Sequence, residues 1–126
     1  DLDENAIRVA LANLEALGAE RVELRREDAR TARIPELSCV ISNPPMGRRV
    51  LRGEDVAATL GDVIRAAART LLPGGRIVLL SPHPMSTERV ARSLGLEKTI
   101  DRRVDMGGFD AVLQRFERTL QRGSSA

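Results

Sequence analysis

The stretch ISNPPMGRRV, residues 41–50, places an asparagine and two consecutive prolines directly after an apolar run. Proline fixes its own φ angle and lacks a backbone N–H, and Pro44 also excludes Asn43 from the helical region. The result is a stiff, extended turn in which the Asn43 side-chain oxygen and the Pro44 carbonyl can both accept hydrogen bonds. Two such acceptors can hold the N–H groups of an exocyclic amine and direct its lone pair at an electrophile. The motif therefore favours transfer of a group to an amine.

Three aspartates stand where they could contact the same ligand as Asn43. Asp1 and Asp3 come just before a predicted helix, and Asp28 follows a short predicted strand. In open α/β sheets, ligands bind beyond the carboxyl ends of the strands, which is where these side chains are expected. Asp3 is also a good helix N-cap, a role that is compatible with ligand binding. Taken alone, Asp28 is more typical of a solvated loop.

Hydrophobic periodicity supplies the elements that position these residues. Apolar residues at helical spacing predict three helices, over 4–17, 54–72 and 86–94. Short apolar runs predict the strands, at 21–24, 37–42, 76–81, 97–104 and 109–119. The glycine pair at 107–108 predicts a hairpin between the last two strands. This alternation predicts an α/β fold with a mostly parallel sheet and a C-terminal antiparallel hairpin.

The composition fits one small globular domain. The chain has 126 residues and a net charge of +2, and no apolar run approaches the roughly 18 residues that span a bilayer. Its only cysteine, Cys39, excludes an internal disulfide, fits the reducing cytoplasm and is expected to be a buried thiol. No group of cysteines, histidines or acids has zinc spacing, so no metal is expected.

Arginine supplies nearly all the positive charge, since Lys98 is the only lysine. The planar guanidinium suits phosphates and nucleic acids, although codon usage in a GC-rich genome explains the same bias. Arg48, Arg49 and Arg52 follow the two prolines. They either hold RNA phosphates or form a solvated basic turn.

From Asp1 to about Val50, the chain resembles class I S-adenosylmethionine-dependent methyltransferases. It is most similar to the RNA methylases with the pattern Asn-Pro-Pro-x-Gly-x-Arg, the THUMP-associated and UPF0020-like RNA guanine-N2 methyltransferases. The matching residues are DLDENAIRVALANLEALGAERVELRREDA and NPPMGRR. The resemblance implies a Rossmann-like sheet, with residues 1–121 as the C-terminal portion of the methyltransferase domain and 122–126 as a flexible tail.

The resemblance also implies roles for individual residues. The cofactor is S-adenosyl-L-methionine, with its ribose at Asp1, the second acid Asp3 beside it, and its adenine amine at Asp28. The implied catalytic residues are Asn43, Pro44 and Pro45, and the implied substrate-binding residues are Met46, Gly47 and Arg49. The implied substrate is an exocyclic amine of an RNA base, most often guanine N2 in tRNA or rRNA, and no membrane partner is expected.

The chain departs from this family at two points. Met46 stands where the family usually has an aromatic residue, which would stack on a flipped base. The glycine-rich loop that holds the methionine end of the cofactor, and the first strands of the sheet, have no counterpart in the sequence. Those strands would lie between the predicted strands at 21–24 and 37–42. We therefore expect an N-terminal segment of a longer parent chain to be a partner of these residues.

Several alternatives remain open at this point. Asn-Pro-Pro also serves adenine N6 methylation in DNA or RNA and glutamine N5 methylation in proteins, although Gly47 and Arg49 favour the RNA branch. A degenerate, non-catalytic methyltransferase domain that binds RNA is a further reading, and Met46 favours it. His83, which lies between two prolines, is either an exposed loop residue or a catalytic one.

Because the glycine-rich loop forms part of the cofactor site, we expect the 126-residue chain on its own to be inactive and not to bind S-adenosylmethionine. Titration calorimetry with the isolated chain measures this directly. Binding in the micromolar range would contradict the expectation.

Overall fold

The computed structural model describes residues 1–44 and 55–120 of the chain. Its helices are α1 (Glu4–Ala16), α2 (Val56–Ala68) and α3 (Pro84–Ser93). Its strands are β1 (Leu37–Ser42), β2 (Leu71–Ser81), β3 (Glu97–Asp105) and β4 (Asp110–Glu117). The predicted tail at 122–126 lies outside the described residues.

The four strands form one sheet in the order β1-β2-β4-β3. β1 pairs with β2 in parallel, whereas β4 pairs antiparallel with both β2 and β3. The predicted C-terminal hairpin is confirmed. Gly107 and Gly108 at its tip have φ angles of +81° and +110°, which glycine adopts without a steric penalty.

The described part of the sheet is mixed, as predicted: three of its four strands run in the same direction, and β4 supplies the antiparallel pairings. β1, β2 and β3 run in the same direction, as their helical crossovers require. β4 then turns back from β3 and inserts between β2 and β3, so only β1 and β2 are parallel neighbours. The α/β class and the Rossmann-like order of elements hold.

The core lies on one face of this sheet. Ile77 and Leu79 of β2 and Phe116 of β4 are at most 4% exposed and pack against Ile64 of α2 and Ala91 of α3. These inward residues alternate with outward ones along each strand, as a sheet covered by helices on one face requires. The packing fixes β1 and β2 relative to the two helices, and therefore fixes where their ends lie.

β1 matches the predicted strand at 37–42 but lies at the edge of the described sheet. Its outer face is open among the described residues, where Ile41 is 80% exposed. The expectation that Cys39 is buried is wrong, because Cys39 lies on this same open face and is an exposed free thiol.

The predicted long helix over 54–72 ends earlier than expected, at Ala68, and Leu71 already belongs to β2. Leu71 is buried and pairs with Leu37 of β1, so core packing extends the strand through Pro73-Gly74-Gly75. A Cβ atom at Gly75 would come within 2.7 Å of the Leu72 backbone carbonyl oxygen, so only glycine fits there.

The strand predicted at 21–24 is not formed within the described residues. The chain nevertheless runs beside its own start at this point. The Asp1 backbone nitrogen donates to the Arg25 carbonyl at 3.2 Å, and the Arg26 side chain donates to the Leu2 carbonyl at 3.0 Å. A strand needs a neighbour with which to exchange backbone hydrogen bonds. Of these two contacts, only the one between Asp1 and Arg25 joins two backbone groups, so residues 21–24 do not form a paired strand here.

The first helix begins as predicted. The Asp3 carboxylate accepts from the Asn5 N–H at 2.8 Å and caps α1, and Gly18 adopts a φ angle of +65° just beyond the helix end. α1 has no buried residue. None of the helices in residues 1–44 and 55–120 combines the length and the apolar character needed to cross a membrane.

Candidate functional site

Asn43 and Pro44 directly follow β1, at its carboxyl end. Asn43 is exposed and Pro44 is half-buried. The Asn43 side chain is therefore not packed in the core and is accessible to a ligand. This exposure is the first requirement for the acceptor role predicted from the sequence.

A second loop leaves the sheet beside Asn43. Ser42 at the end of β1 is in register with Leu79 of β2, and β2 continues to Ser81 before Pro82-His83-Pro84. Parallel neighbours lie about 4.8 Å apart, so both loops emerge at the same rim of the sheet. His83 is exposed at this rim, next to the predicted catalytic turn.

The loop after β2 is attached to a buried polar network that we did not predict from the sequence. Ser81, Thr87 and Gln114 have 0% exposure, and they hydrogen-bond to one another and to the loop backbone. One sequence signal was available, since Gln114 lies two positions from Phe116 and therefore on the same inward face of β4. A glutamine at such a position needs a polar partner.

Asp1 and Asp3 lie together at the start of α1. The Asp1 carboxylate accepts from the Asp3 N–H at 2.9 Å, while the Asp3 carboxylate caps the helix. Both side chains are exposed. The two acids therefore form an acceptor pair at a helix N-terminus.

Asp28 is held by Arg30. The Arg30 backbone N–H and Nε reach its Oδ1 at 2.9 and 3.1 Å, and Nη2 reaches Oδ2 at 2.7 Å. These hydrogen bonds, first from the side chain and then from the backbone, lower the pKa of the Asp28 carboxyl to about 2. Asp28 is therefore an ionised, acceptor-only group at neutral pH, and much of its acceptor capacity is already engaged.

Asp28 opens onto a charged cleft of about 350 Å³ beside α2. Asp62, Arg65 and Arg69 of that helix line the cleft, together with Arg30. Arg65 donates to Asp62 at 3.2 Å. Asn43 does not line this cleft. Within the described residues, Asn43 and His83 follow neighbouring strands at the same rim of the sheet. Asp1 contacts Asp3, and Asp28 faces α2.

The three carboxylates are hydrogen-bond acceptors, which suits a cofactor that contains adenosine. Ribose hydroxyls donate to carboxylates, and Asp1 and Asp3 present exposed ones. The adenine amine donates as well, and the low pKa of Asp28 keeps its carboxylate an acceptor. Arg30 has to release part of Asp28 for such a contact to form, because it occupies both carboxylate oxygens.

The other predicted site residues, Pro45, Met46, Gly47 and Arg49, lie outside the described residues, as do Arg48 and Arg52. Within residues 1–44 and 55–120, no three His, Cys, Asp or Glu side chains lie close enough together to share a metal ion.

The chain is similar in sequence to two tRNA methyltransferases. The chain is 34% identical over 110 residues to the tRNA (guanine(6)-N2)-methyltransferase of Thermus thermophilus, covering 86% of this chain and 32% of the relative. It is 31% identical over 101 residues to the tRNA1(Val) (adenine(37)-N6)-methyltransferase of Tolumonas auensis, covering 72% of this chain and 43% of the relative.

A solved structure supports the same relationship. The crystal structure of TrmN from Thermus thermophilus matches with a TM-score of 0.80 at 30% identity, over 94% of this chain and 35% of that one. The chain spans less than half the length of each of these proteins. Residues 1–111 match the model of the UPF0020 family, described as an RMKL-like methyltransferase domain. The chain belongs to this family of methyltransferase domains.

Proposed function

We propose that the full-length protein catalyses S-adenosylmethionine-dependent methyl transfer to an exocyclic amine of an RNA base, namely guanine N2 in tRNA. The observation that carries this proposal is the position of Asn43. It is exposed at the carboxyl end of a core strand and is followed by a half-buried proline. A turn of this kind presents two oxygen acceptors outside the core, where a flipped base can reach them.

The two acceptors act by position and charge. Asn43 Oδ1 and the Pro44 carbonyl each accept one N–H of the target amine, which fixes the nitrogen and directs its lone pair away from them. The bound cofactor would supply an electrophilic methyl group, and its sulfur would take the electron pair of the broken C–S bond. As the nitrogen becomes cationic, the two oxygens stabilise the charge on its N–H groups, and one proton then passes to water.

The choice of guanine N2 rests on the comparisons. The relative with 86% coverage of this chain is named a guanine-N2 enzyme, and the matching TrmN structure has a TM-score of 0.80. Adenine N6 is the second candidate, because the Tolumonas auensis relative carries that name. We infer RNA as the partner and the reducing cytoplasm as the compartment, which suits the exposed thiol of Cys39.

The Asn43 side chain is the most direct test of this function. Asn43→Ala in the full-length protein removes one of the two acceptors, and we expect kcat to fall by about 100-fold or more, the scale set by loss of one preorganised polar group. The measurement is mass analysis of modified nucleosides after incubation with tRNA. Asn13→Ala, the same change at an exposed position in α1, is the matched control and should leave the yield unchanged.

Undiminished N2-methylguanosine in the Asn43→Ala variant would remove Asn43 from its role. N6-methyladenosine as the Asn43-dependent product would select the second candidate. No modified nucleoside with the wild-type protein would favour the non-catalytic, RNA-binding reading.

Asp28 provides a separate test of the cofactor site. If its carboxylate accepts from the adenine amine, Asp28→Ala should raise the KM for S-adenosylmethionine roughly tenfold, as expected for loss of a charge-assisted hydrogen bond. Because the pKa of Asp28 is about 2, its charge is constant above about pH 4, so the increase should be the same at pH 6 and pH 8.

Asp110→Ala is the control for this change. It breaks an Asp–Arg pair of the same length, 2.7 Å between Asp110 and Arg103, on the distant hairpin. An equal change in KM for Asp28→Ala and Asp110→Ala would mean that Asp28 acts only through its ion pair.

A further inference from the structure

The polar network behind the loop after β2 is unusual in its burial. Among the described residues, the buried polar or charged side chains are Ser81, Thr87 and Gln114, each with 0% exposure. They come from three different elements, namely the end of β2, the first turns of α3, and β4. Their contacts all converge on the few residues that follow β2.

The protons in this network can be ordered from its donors and acceptors. The Thr87 hydroxyl lies 2.5 Å from Gln114 Oε1, which can only accept, so Thr87 donates there. Ser81 Oγ accepts from the His83 N–H at 3.1 Å. Its own proton is then available for Thr87 Oγ1, also at 3.1 Å.

The network closes on the loop that it starts from. The Gln114 amide donates from Nε2 to the Pro84 carbonyl at 3.0 Å. A continuous path therefore runs from the His83 N–H through the three side chains and back to the carbonyl of the next residue. Pro82 and Pro84 have no N–H groups, so His83 carries the only amide proton of the tripeptide, and the network binds it.

We propose that Ser81, Thr87 and Gln114 are positioning residues, which hold the Pro82–Pro84 loop and its exposed His83 as the substrate-facing wall opposite Asn43. This inference rests on the proposed function, and it adds His83 as a group that contacts the RNA substrate. The two prolines restrict the backbone of the loop, and hydrogen bonds from the network hold that backbone against the core.

Stability alone would not require this arrangement. Apolar groups of the same shape can replace a buried hydrogen-bonded pair at little cost, and most of the surrounding core is apolar. The opposite end of β2 provides a contrast. The hydroxyl of Thr70 is also buried there but makes no hydrogen bond within the described residues. The buried side chains that do have hydrogen-bond partners thus lie at the rim that carries Asn43.

The test uses the full-length protein with tRNA as substrate. Thr87→Val removes the central hydroxyl with little change in shape, and we expect kcat/KM for RNA to fall about 10- to 100-fold, as small misplacements of a substrate contact do. The KM for S-adenosylmethionine should not change. Thr87→Ser should restore most of the activity, and Thr70→Val, the matched control, should behave like the wild type.

A double variant separates positioning from general damage. If the network acts through His83, Thr87→Val combined with His83→Ala should be no slower than His83→Ala alone. Hydrogen exchange followed by NMR provides an independent reading through the His83 amide resonance, because the flanking prolines have no N–H. Ser81→Ala and Thr87→Val should speed its exchange, and Thr70→Val should not.

Two results would overturn the inference while leaving the proposed function intact. Both results assume an active wild type and an impaired Asn43→Ala variant. The first is a kcat/KM for RNA of Thr87→Val within twofold of that of Thr70→Val. The second is a double variant in which the losses of kcat/KM caused by Thr87→Val and by His83→Ala multiply. Absence of methylation by the wild type would instead remove the proposed function, and this inference would fall with it.

Discussion

The parallel pairing of β1 with β2 is the constraint on which the candidate site depends. It places the ends of two core strands side by side, in a register that is set by buried residues such as Ile77 and Leu79. Asn43 and the loop that carries His83 then emerge at one rim without any contact between their side chains being needed. A shift of one residue would turn the inward side chains of β1 to the open face. The core therefore specifies the site as well as the fold.

The two sides of the rim are made rigid by different means. On the β1 side, Pro44 restricts the backbone of Asn43 through covalent geometry, and the Asn43 side chain is exposed. On the β2 side, the loop is held by a chain of hydrogen bonds through Ser81, Thr87 and Gln114. Both devices limit motion at the point where an amine would have to be oriented. Neither device supplies a strong base, in keeping with chemistry that relies on orientation.

Local signals in the sequence predict the parts of the molecule that are decided locally. The apolar run at 37–42 gives β1 without error, and Gly107-Gly108 gives the hairpin. The sequence pattern predicts a helix through Leu72 because its leucines suit either period, and only pairing with Leu37 makes Leu71 part of a strand. The insertion of β4 between β2 and β3 also depends on long-range pairing, so no local sequence pattern predicts it.

The candidate site also combines features that are decided locally with features that depend on distant residues. The place of Asn43 directly after β1 and the Asp3 cap of α1 could be predicted from residue types and their spacing. The ligand roles of Asn43, Asp1 and Asp28 stay predictions. The engagement of Asp28 by Arg30 depends on the shape of the loop between them. The bond between Thr87 and Gln114 joins residues that are 27 positions apart. Contacts of that kind appear only when the sheet brings β4 beside the end of β2.

The most direct test of the account is a crystal structure of the full-length protein with S-adenosylhomocysteine and its RNA substrate. We expect the nitrogen of the target amine to lie within about 3.2 Å of both Asn43 Oδ1 and the Pro44 carbonyl. A target base held by other groups, with the Asn43 amide directed away from it, would contradict the account.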